Sequence, residues 1–489
     1  MKRLTQLIHD DMRPALGVTE PGAIAFAVAT AKRHITGALK GIRLVLNSGM
    51  YKNAFTCGIP NSHEVGNEHA AALGYVAADA SKGLECLEGV KPHHNQEAHA
   101  LVNAGLVKVE LGEISSRIYI FAEITTNEGT VNVTIRDAHT HITRITKDGR
   151  TVFERDDADI QDEERQTPFI HRFTLRQMLH YAQSVPSEEL LFIRQAYDLN
   201  LALFEQALQN RRTTFAHYLY KKNGDRVISD DEQASASLLC NAAIEARVLG
   251  LSRPAMSITG SGAHGIIATL PLYAAQQVNG YTDEQLLRAT ALSYLVCMYI
   301  KEYSGKLSAF CGCAIAAGTG MACGLAFLRG GTHKTLTLTI QNMASSITGM
   351  ICDGGNHGCT MKGIVAVDAA YRSVAFAQNG IAIGHEHGIN GHMPEDTMRN
   401  MGLIASPGMV KTEGVIVDIM REKTTSSTSV NRCRRGRLAD IDEVDSEAVE
   451  VPNKGERRCP TRFYPVRGML IAHEGYLGHG EMSVPLHQK

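Results

Sequence analysis

The chain has 489 residues, with 49 Lys and Arg against 51 Asp and Glu, 44% hydrophobic residues, 45 Gly and no Trp. That length allows about two to four domains and a sizeable core. The near-neutral balance excludes a broadly basic, nucleic-acid-binding molecule, and the composition excludes collagenous and wholly disordered chains.

Residues 1–17 mix Lys2 and Arg3 with Asp10 and Asp11 and lack the apolar stretch of a secretory signal. The longest apolar run, Ala289 to Ile300, stops at Lys301 and Glu302, short of the roughly 18 to 20 residues that cross a bilayer. A cytoplasmic chain with no membrane partner is expected. Residues 1–105 read as a mixed α/β part of the catalytic body, with an Ala-rich helix predicted from Pro21, where Thr19 or Glu20 can cap it. Residues 47–66 read as polar and turn-rich. From Leu106 the pattern alternates: Val107, Val109 and Leu111, then Ile118 to Ile124, Val131 to Ile135 and Ile142 to Ile145, with turns at Asn127 to Gly129 and Lys147 to Gly149. Residues 106–173 are therefore predicted to form a small antiparallel-sheet subdomain, ending in a charged, solvated loop over 155–167.

Helical periodicity resumes near Thr174, and residues 174–423 are predicted as a helical domain. Its stretch from Gly250 to Gly380 is dense in Ala, Gly, Ser and Cys and reads as the buried core. Gly312, Ala316, Gly320 and Gly324 recur every four residues, a ridge against which another backbone can lie. Each mid-helix Gly costs about 1 kcal/mol against Ala, so close packing is the expected compensation. Residues 424–489 carry a Ser/Thr run, a basic patch from Arg432 to Arg437 and an acidic run from Asp440 to Glu450, and are predicted to be a disordered tail. The fold class is α+β: a largely helical catalytic core rich in Ala and Gly, with a smaller antiparallel-sheet subdomain.

Eleven Cys, an odd number in a long chain of this kind, argue for thiols or metal ligands over a disulfide framework. Cys311, Cys352 and Cys359 stand out. Six residues separate the last two, and Gly354, Gly355 and Gly358 among them free backbone N–H groups to face sulfur. A Cys359 that opens a helix would also have its thiolate favoured by the helix dipole. Cys313 and Cys323 read as core. A zinc site that adds His357, or a set of inert buried thiols, fits the same spacing. The run Ser257 to Gly265 is a Gly-rich turn with hydroxyls before an apolar helix, a cradle for a carboxylate. Gly260, Gly262 and Gly265 have dinucleotide-fingerprint spacing, but Arg253-Pro254 precede Ser257 where an apolar strand should stand, so that reading is set aside. Gly17 to Pro21 and Met50 to Asn53 read alone as a helix start and a polar turn.

Together these segments resemble the L-cysteine desulfidase family, which shares its C-terminal portion with the alpha chain of the iron-sulfur L-serine dehydratases. Over residues 12–422, Pro14 to Pro21 resembles PALGCTEP, Met50 to Asn53 LMKN, Ala255 to Gly265 AMSNSGSGNQG, and Met350 to Lys362 MICDGxxxxCxMK. The resemblance implies a 4Fe-4S cluster held by Cys311, Cys352 and Cys359, and elimination of hydrogen sulfide or water from L-cysteine or L-serine to give pyruvate and ammonia. Glu20 and Lys52, within matched segments, and His264, which departs from the family pattern and has an ordinary pKa near 6.5, are the candidates for proton transfer. Asn53, Ser257, Thr259, Gly260, Ser261 and Gly262 are the implied substrate-binding residues. A homo-oligomer is compatible with it. The family's N-terminal Cys is Val18 here, and its Asn-Gln pair is Ala263-His264. The alternative is therefore an inactive or re-specialised sibling that binds a cluster or an amino acid. A zinc hydrolase is disfavoured because no HExxH pattern occurs.

Overall fold

The computed structural model describes residues 2–155 and 168–434. Helix α1 (Lys2–Asp11) buries Leu4 and Ile8, and β1 (Arg13–Leu16) leads from it into α2 (Thr19–Lys32). Every residue of α2 from Thr19 to Ala31 is buried, as its all-round apolar sequence requires. The helix starts two residues before the expected Pro21. Val18 holds the cap position and, being apolar, makes no side-chain capping bond, while Glu20 in the first turn is turned toward Asn53.

One side of α2 packs on α4 (Gly66–Val76) and another on a six-stranded sheet. In chain order its strands are β2 (Leu39–Leu46), β3 (Val107–Leu111), β4 (Tyr119–Thr126), β5 (Gly129–Arg136), β6 (Ile142–Lys147) and β7 (Arg150–Glu154), paired as β3-β2-β4-β5-β6-β7. Inward side chains of period two, such as Ile42, Leu44, Ile120, Ala122, Val131 and Val133, join the core under α2. The sheet is mixed where the alternation suggested antiparallel pairing alone. Strand β2 runs parallel to β3, Ile42 facing Val107, and a parallel pair needs a long crossover. Helices α3 (Ser48–Ala54), α4 and α5 (Pro92–Asn103) supply it, so residues 47–66, read as turns, contain a helix.

The rest is helical: α6 (Leu175–Ser184), α7 (Arg194–Gln209), α8 (Thr214–Lys222), α9 (Glu232–Val248), α10 (Gly262–Asn279), α11 (Asp283–Ser304), α12 (Gly318–Leu328), α13 (His333–Ile347), α14 (Gly358–Gln378), α15 (Pro394–Leu403) and α16 (Val410–Arg434). A short strand β8 (Pro254–Ser257) does precede the Gly-rich turn, contrary to the sequence reading, but it pairs antiparallel with β1 and is no part of a parallel βαβ unit. Helix α16 continues past Thr424 to Arg434; the remainder of the expected tail, 435–489, and the loop segment 156–167 lie outside the described residues. Among the described residues no helix is long and apolar enough to cross a membrane.

The small-residue ridge has two uses. A Cβ on Gly320 would lie 2.3 Å from the Ser293 carbonyl oxygen, so α12 touches the backbone of α11 there. Gly312, at the other end, faces His264. We expect Gly320→Ala to destabilise the protein by about 1–3 kcal/mol in denaturant unfolding, since that carbonyl cannot retreat without moving α11. Gly414→Ala, in open space on α16, should be neutral or stabilising by up to about 1 kcal/mol. Equal behaviour of the two would contradict the close approach.

Candidate functional site

A cavity of about 220 Å³ lies where the N-terminal layer meets the helical core. Its walls bring together elements far apart in sequence: the end of α1, the first turn of α2, α3, the turn between β5 and β6, the turn before α10, and the segment from Lys301 to Cys313.

The turn is formed by Ile258 to Ser261, with Thr259 and Gly260 both at positive φ. Asp11 accepts the Thr259 N–H at 2.5 Å, and Thr19 donates to the Gly260 carbonyl at 3.2 Å. These contacts aim Gly260, Ser261 and the N-terminus of the 18-residue helix α10 at the cavity. Ser261 makes no capping bond there. Orphan N–H groups and the positive end of a helix suit a carboxylate.

Charge is arranged by sign. Glu20 is buried; burial pushes its pKa up, but His139, the Asn53 hydrogen bond at 2.8 Å and Arg247 outweigh that and bring it down to about 2. It is a fixed anion. Asp11 is shifted the other way by burial. Lys301, also buried, has its pKa lowered by burial and by Lys306 to about 8, and its ammonium donates to Ser304, Gly305 and Lys306. His264 Nδ1 meets Thr259 Oγ1 at 2.5 Å, while the Thr259 hydroxyl can donate to the Ile258 carbonyl at 2.7 Å. With that hydroxyl proton spent on the carbonyl, Nδ1 carries the imidazole proton and Nε2, which faces Gly312, is the free acceptor. Burial, Lys301 and Arg247 lower the His264 pKa to about 3, far from the expected 6.5, so the ring is neutral. Two polar atoms of cavity-lining residues, Ser308 Oγ and His139 Nε2, are buried without a hydrogen-bond partner, as groups that meet a ligand would be.

Cys352 lines the same cavity. Burial raises the pKa of Cys352 and of Cys359, the latter to about 12, and the neighbouring Cys311 adds to both, Cys352 also to Cys359; the Cys311 thiol is raised first by its hydrogen bond with Cys313 and then by burial. Burial thus outweighs the dipole of α14 at Cys359. Each sulfur is nonetheless faced by a backbone N–H, from Ala314, Gly354 and Asn356 respectively, and all three feel the Lys362 cation. That donor set fits an iron-sulfur cluster, whose sulfurs take N–H hydrogen bonds. His357, the added ligand of the zinc alternative, has its Nε2 3.0 Å from buried Glu245. Cys323 is buried core, but Cys313 is not: it lines the cavity beside Cys311.

Of the residues read from sequence, Glu20, Asn53, Thr259, Gly260, Ser261 and His264 line the cavity with Cys352. Asn53 joins the two ends, donating to Glu20 and standing 3.8 Å from the Cys352 sulfur. Three others sit behind the wall. Ser257 Oγ donates to the Arg13 carbonyl at 2.6 Å; Gly262 gives room to the Arg247 side chain; Lys52 donates to Glu413 at 2.7 Å and the Ser308 carbonyl at 2.9 Å. Val18 packs against Gly355 of the cysteine loop, and its N–H faces the sulfur of buried Cys57. Asp11, Asp137, His139, Lys301 and Cys313 were not singled out from sequence as site residues.

The family model described as "Serine dehydratase alpha chain" matches residues 81–418. That span holds the three cysteines and the turn before α10 but begins after Val18, Glu20 and Asn53. A "UPF0597 protein" of Clostridium botulinum (strain Okra / Type B1) is 38% identical over 426 residues, covering 86% of this chain and 99% of that protein. Another of Caldanaerobacter subterraneus subsp. tengcongensis is 34% identical over 420 residues, with 86% and 98% covered. A third, of Clostridium botulinum (strain Loch Maree / Type A3), is 32% identical over 419 residues, with 86% and 96% covered.

Two outcomes follow from this geometry. Lys52→Met and Glu413→Gln should each cost about 3–5 kcal/mol in unfolding free energy, because each strands a buried charge, and Lys52→Met/Glu413→Leu should recover much of it. A stable Lys52→Met protein would contradict the structural role. His264 takes up a proton near pH 6.5 when unfolded but only near pH 3 when folded. Its contribution is therefore complete above pH 6.5 and lost as pH falls, by up to about 1.4 kcal/mol per pH unit. Between pH 7 and 5 the stability of His264→Asn should fall less steeply than that of the parent; parallel curves would mean that the ring protonates in place.

Proposed function

The chain belongs to the serine dehydratase alpha chain family, and we propose that it is an iron-sulfur lyase eliminating hydrogen sulfide from L-cysteine, or water from L-serine, to give pyruvate and ammonia. The observation that carries this reading is the meeting of three thiols, each faced by a backbone N–H, with a small cavity lined by both signs of charge. Cys311, Cys352 and Cys359 would hold a 4Fe-4S cluster. When bound, such a cluster supplies a Lewis-acidic iron with one position free of protein ligands.

The chain's own residues do the rest. The substrate carboxylate lies at the N-terminus of α10 near Lys301 and Lys306, and its ammonium at Glu20, an anion at any physiological pH. Asn53, fixed by Glu20, directs the β-substituent toward Cys352. His264 Nε2 takes the α-proton. Neutral imidazole is available there; burial first, then Lys301 and Arg247, make it a weak base, and the carboxylate seated near Lys301 offsets the cationic part. The electron pair of the broken Cα–H bond forms the Cα–Cβ double bond as the Cβ–S or Cβ–O bond breaks, releasing sulfide or hydroxide, which takes up a proton. The resulting aminoacrylate hydrolyses to pyruvate and ammonium. Val18 places an inert branched side chain where the resembling family has a thiol, which weakens action on L-cysteine.

The test is anaerobic purification with iron, acid-labile sulfide and pyruvate assays. Expected are about four irons per chain, lost in Cys311→Ser, Cys352→Ser and Cys359→Ser and kept in Cys323→Ser. Pyruvate release from L-cysteine should be weak and should rise in Val18→Cys, and His264→Ala should lose about 100-fold or more in rate with iron content unchanged. Zinc without labile sulfide would overturn the cofactor assignment. Full cluster with no pyruvate from either substrate, in parent and Val18→Cys alike, would leave the amino-acid-binding sibling as the correct reading.

A further inference from the structure

Around the connection that follows α3, a second group of metal-binding side chains comes together. Glu64 sits in the connection between α3 and α4, His69 in the first turns of α4, and His99 on α5. One ligand atom from each lies within 4.8 Å of the other two, the one such trio among the described residues. His69 Nε2 is 3.4 Å from Glu64 Oε2, and His99 Nδ1 is 3.1 Å from Glu64 Oε1. The two rings lie nearly parallel, 23° apart with centroids at 5.8 Å.

His99 sits at hydrogen-bonding distance from Glu64, but His69 does not. A histidine held by a carboxylate alone would show a hydrogen bond of about 2.7–3.2 Å, in line with the N–H. His69 Nε2 has none: it is fully buried and without a hydrogen-bond partner although a carboxylate oxygen is 3.4 Å away. Ligands about 2.0–2.1 Å from a tetrahedral ion, by contrast, are about 3.3 Å apart along each edge. The two nitrogen-oxygen separations are close to that value but run to different oxygens of Glu64, so an ion held by one of them needs only a small rotation of the carboxylate. The backbone is also fixed in advance. Glu64 N–H donates to Ser62 Oγ at 3.0 Å, Glu64 O accepts from Ile59, Gly58 bridges to Val65, and α4 packs along α5. Asn95 of α5 donates to the Asn61 carbonyl, closing the frame.

We propose that Glu64, His69 and His99 form a binding site for one divalent first-row transition ion of zinc(II) type, separate from the cysteine centre. Imidazole and carboxylate are ligands for such ions, and two nitrogens with one oxygen leave a coordination position for water. Glu64 and His99 have side chains 33% and 53% exposed, so the ion exchanges with solvent. Bound, it clamps the connection that begins at Cys57 and Gly58 to two helices of the N-terminal layer. Gly58 in turn donates to the Val248 carbonyl at the end of α9, which ties the clamp to the helical core.

The test is equilibrium dialysis of the intact, anaerobically prepared protein against Zn²⁺, with iron and zinc counted together. The parent should bind one more zinc per chain than His69→Gln/His99→Gln, with identical iron and sulfide in both. The single variant His99→Gln, at an exposed position that threatens no core packing, should bind that ion at least about 10-fold more weakly, since losing a ligand costs no less than losing an outer partner. Co²⁺ in the same site should give visible ligand-field bands without thiolate charge transfer, which separates it from ions on the cysteines. Equal zinc uptake by parent and His99→Gln, or thiolate bands for the extra Co²⁺, would overturn the proposal. Loss of the cluster with zinc uptake intact would count against the proposed lyase and leave this site standing.

Discussion

The Lys52 ammonium has no contact with solvent, and it is satisfied by a carboxylate from α16 and a carbonyl from the segment before Cys311. Burying a charge costs several kcal/mol unless its partners are in place, so α3, residues 308–311 and α16 cannot drift apart independently. Around that point the backbone closes further. Cys352 N–H donates to Ala309 O at 2.6 Å and Gly355 N–H to Asn53 O at 3.0 Å. The cysteine loop is thereby stitched to α3 on one side and to the segment leading to Cys311 on the other. The neighbour of Lys52, Asn53, is held in the same act, and it is Asn53 that bridges Glu20 and the Cys352 sulfur. A residue that looks like a catalytic lysine in sequence is thus the post to which both ends of the cavity are fixed.

The electrostatics follow from what each wall buries. Glu20 keeps its charge because His139, Asn53 and Arg247 converge on it, whereas burial lowers the affinity of Lys301 and His264 for protons, helped by Lys306 at Lys301 and by Lys301 and Arg247 at His264. A zwitterion is the ligand such segregation suits. At the third edge Val18 and Cys57 pack together beneath the cysteine loop. The thiol that the resembling family carries at position 18 is missing, yet a thiol remains at the neighbouring buried position 57.

Local motifs carried the parts of the site that a few consecutive residues can encode. Cys352 and Cys359 share one loop, and Thr259, Gly260 and Ser261 share one turn, so spacing and glycine content announced both. The hairpins of the sheet were legible for the same reason: period-two burial along β4 and β5, with Asp148 and Gly149 at positive φ in a turn. Lys301 was read as the polar end of an apolar run because nothing in sequence says that a charge ending such a run will be 6% exposed. Asp137 and His139 belong to a connection between strands and reach the cavity only because the sheet is stacked against α2. The parallel pairing of β2 with β3 was missed because β2 (Leu39–Leu46) lies far before the alternating run, outside the 106–173 sheet read from sequence, and joins it only through the helical crossover. His264 kept its ordinary pKa in the sequence reading, since burial and two nearby cations are facts of packing.

Mössbauer spectroscopy of the ⁵⁷Fe-labelled, anaerobically prepared protein, recorded without and with L-serine or L-cysteine, tests the central claim that a small amino acid is held between Glu20 and the cysteine centre. A spectrum in which one iron of the cluster is distinct and shifts on adding the amino acid, with the shift lost in Glu20→Gln, is the result this account predicts. A protein without iron, or a cluster spectrum indifferent to both amino acids, would contradict it.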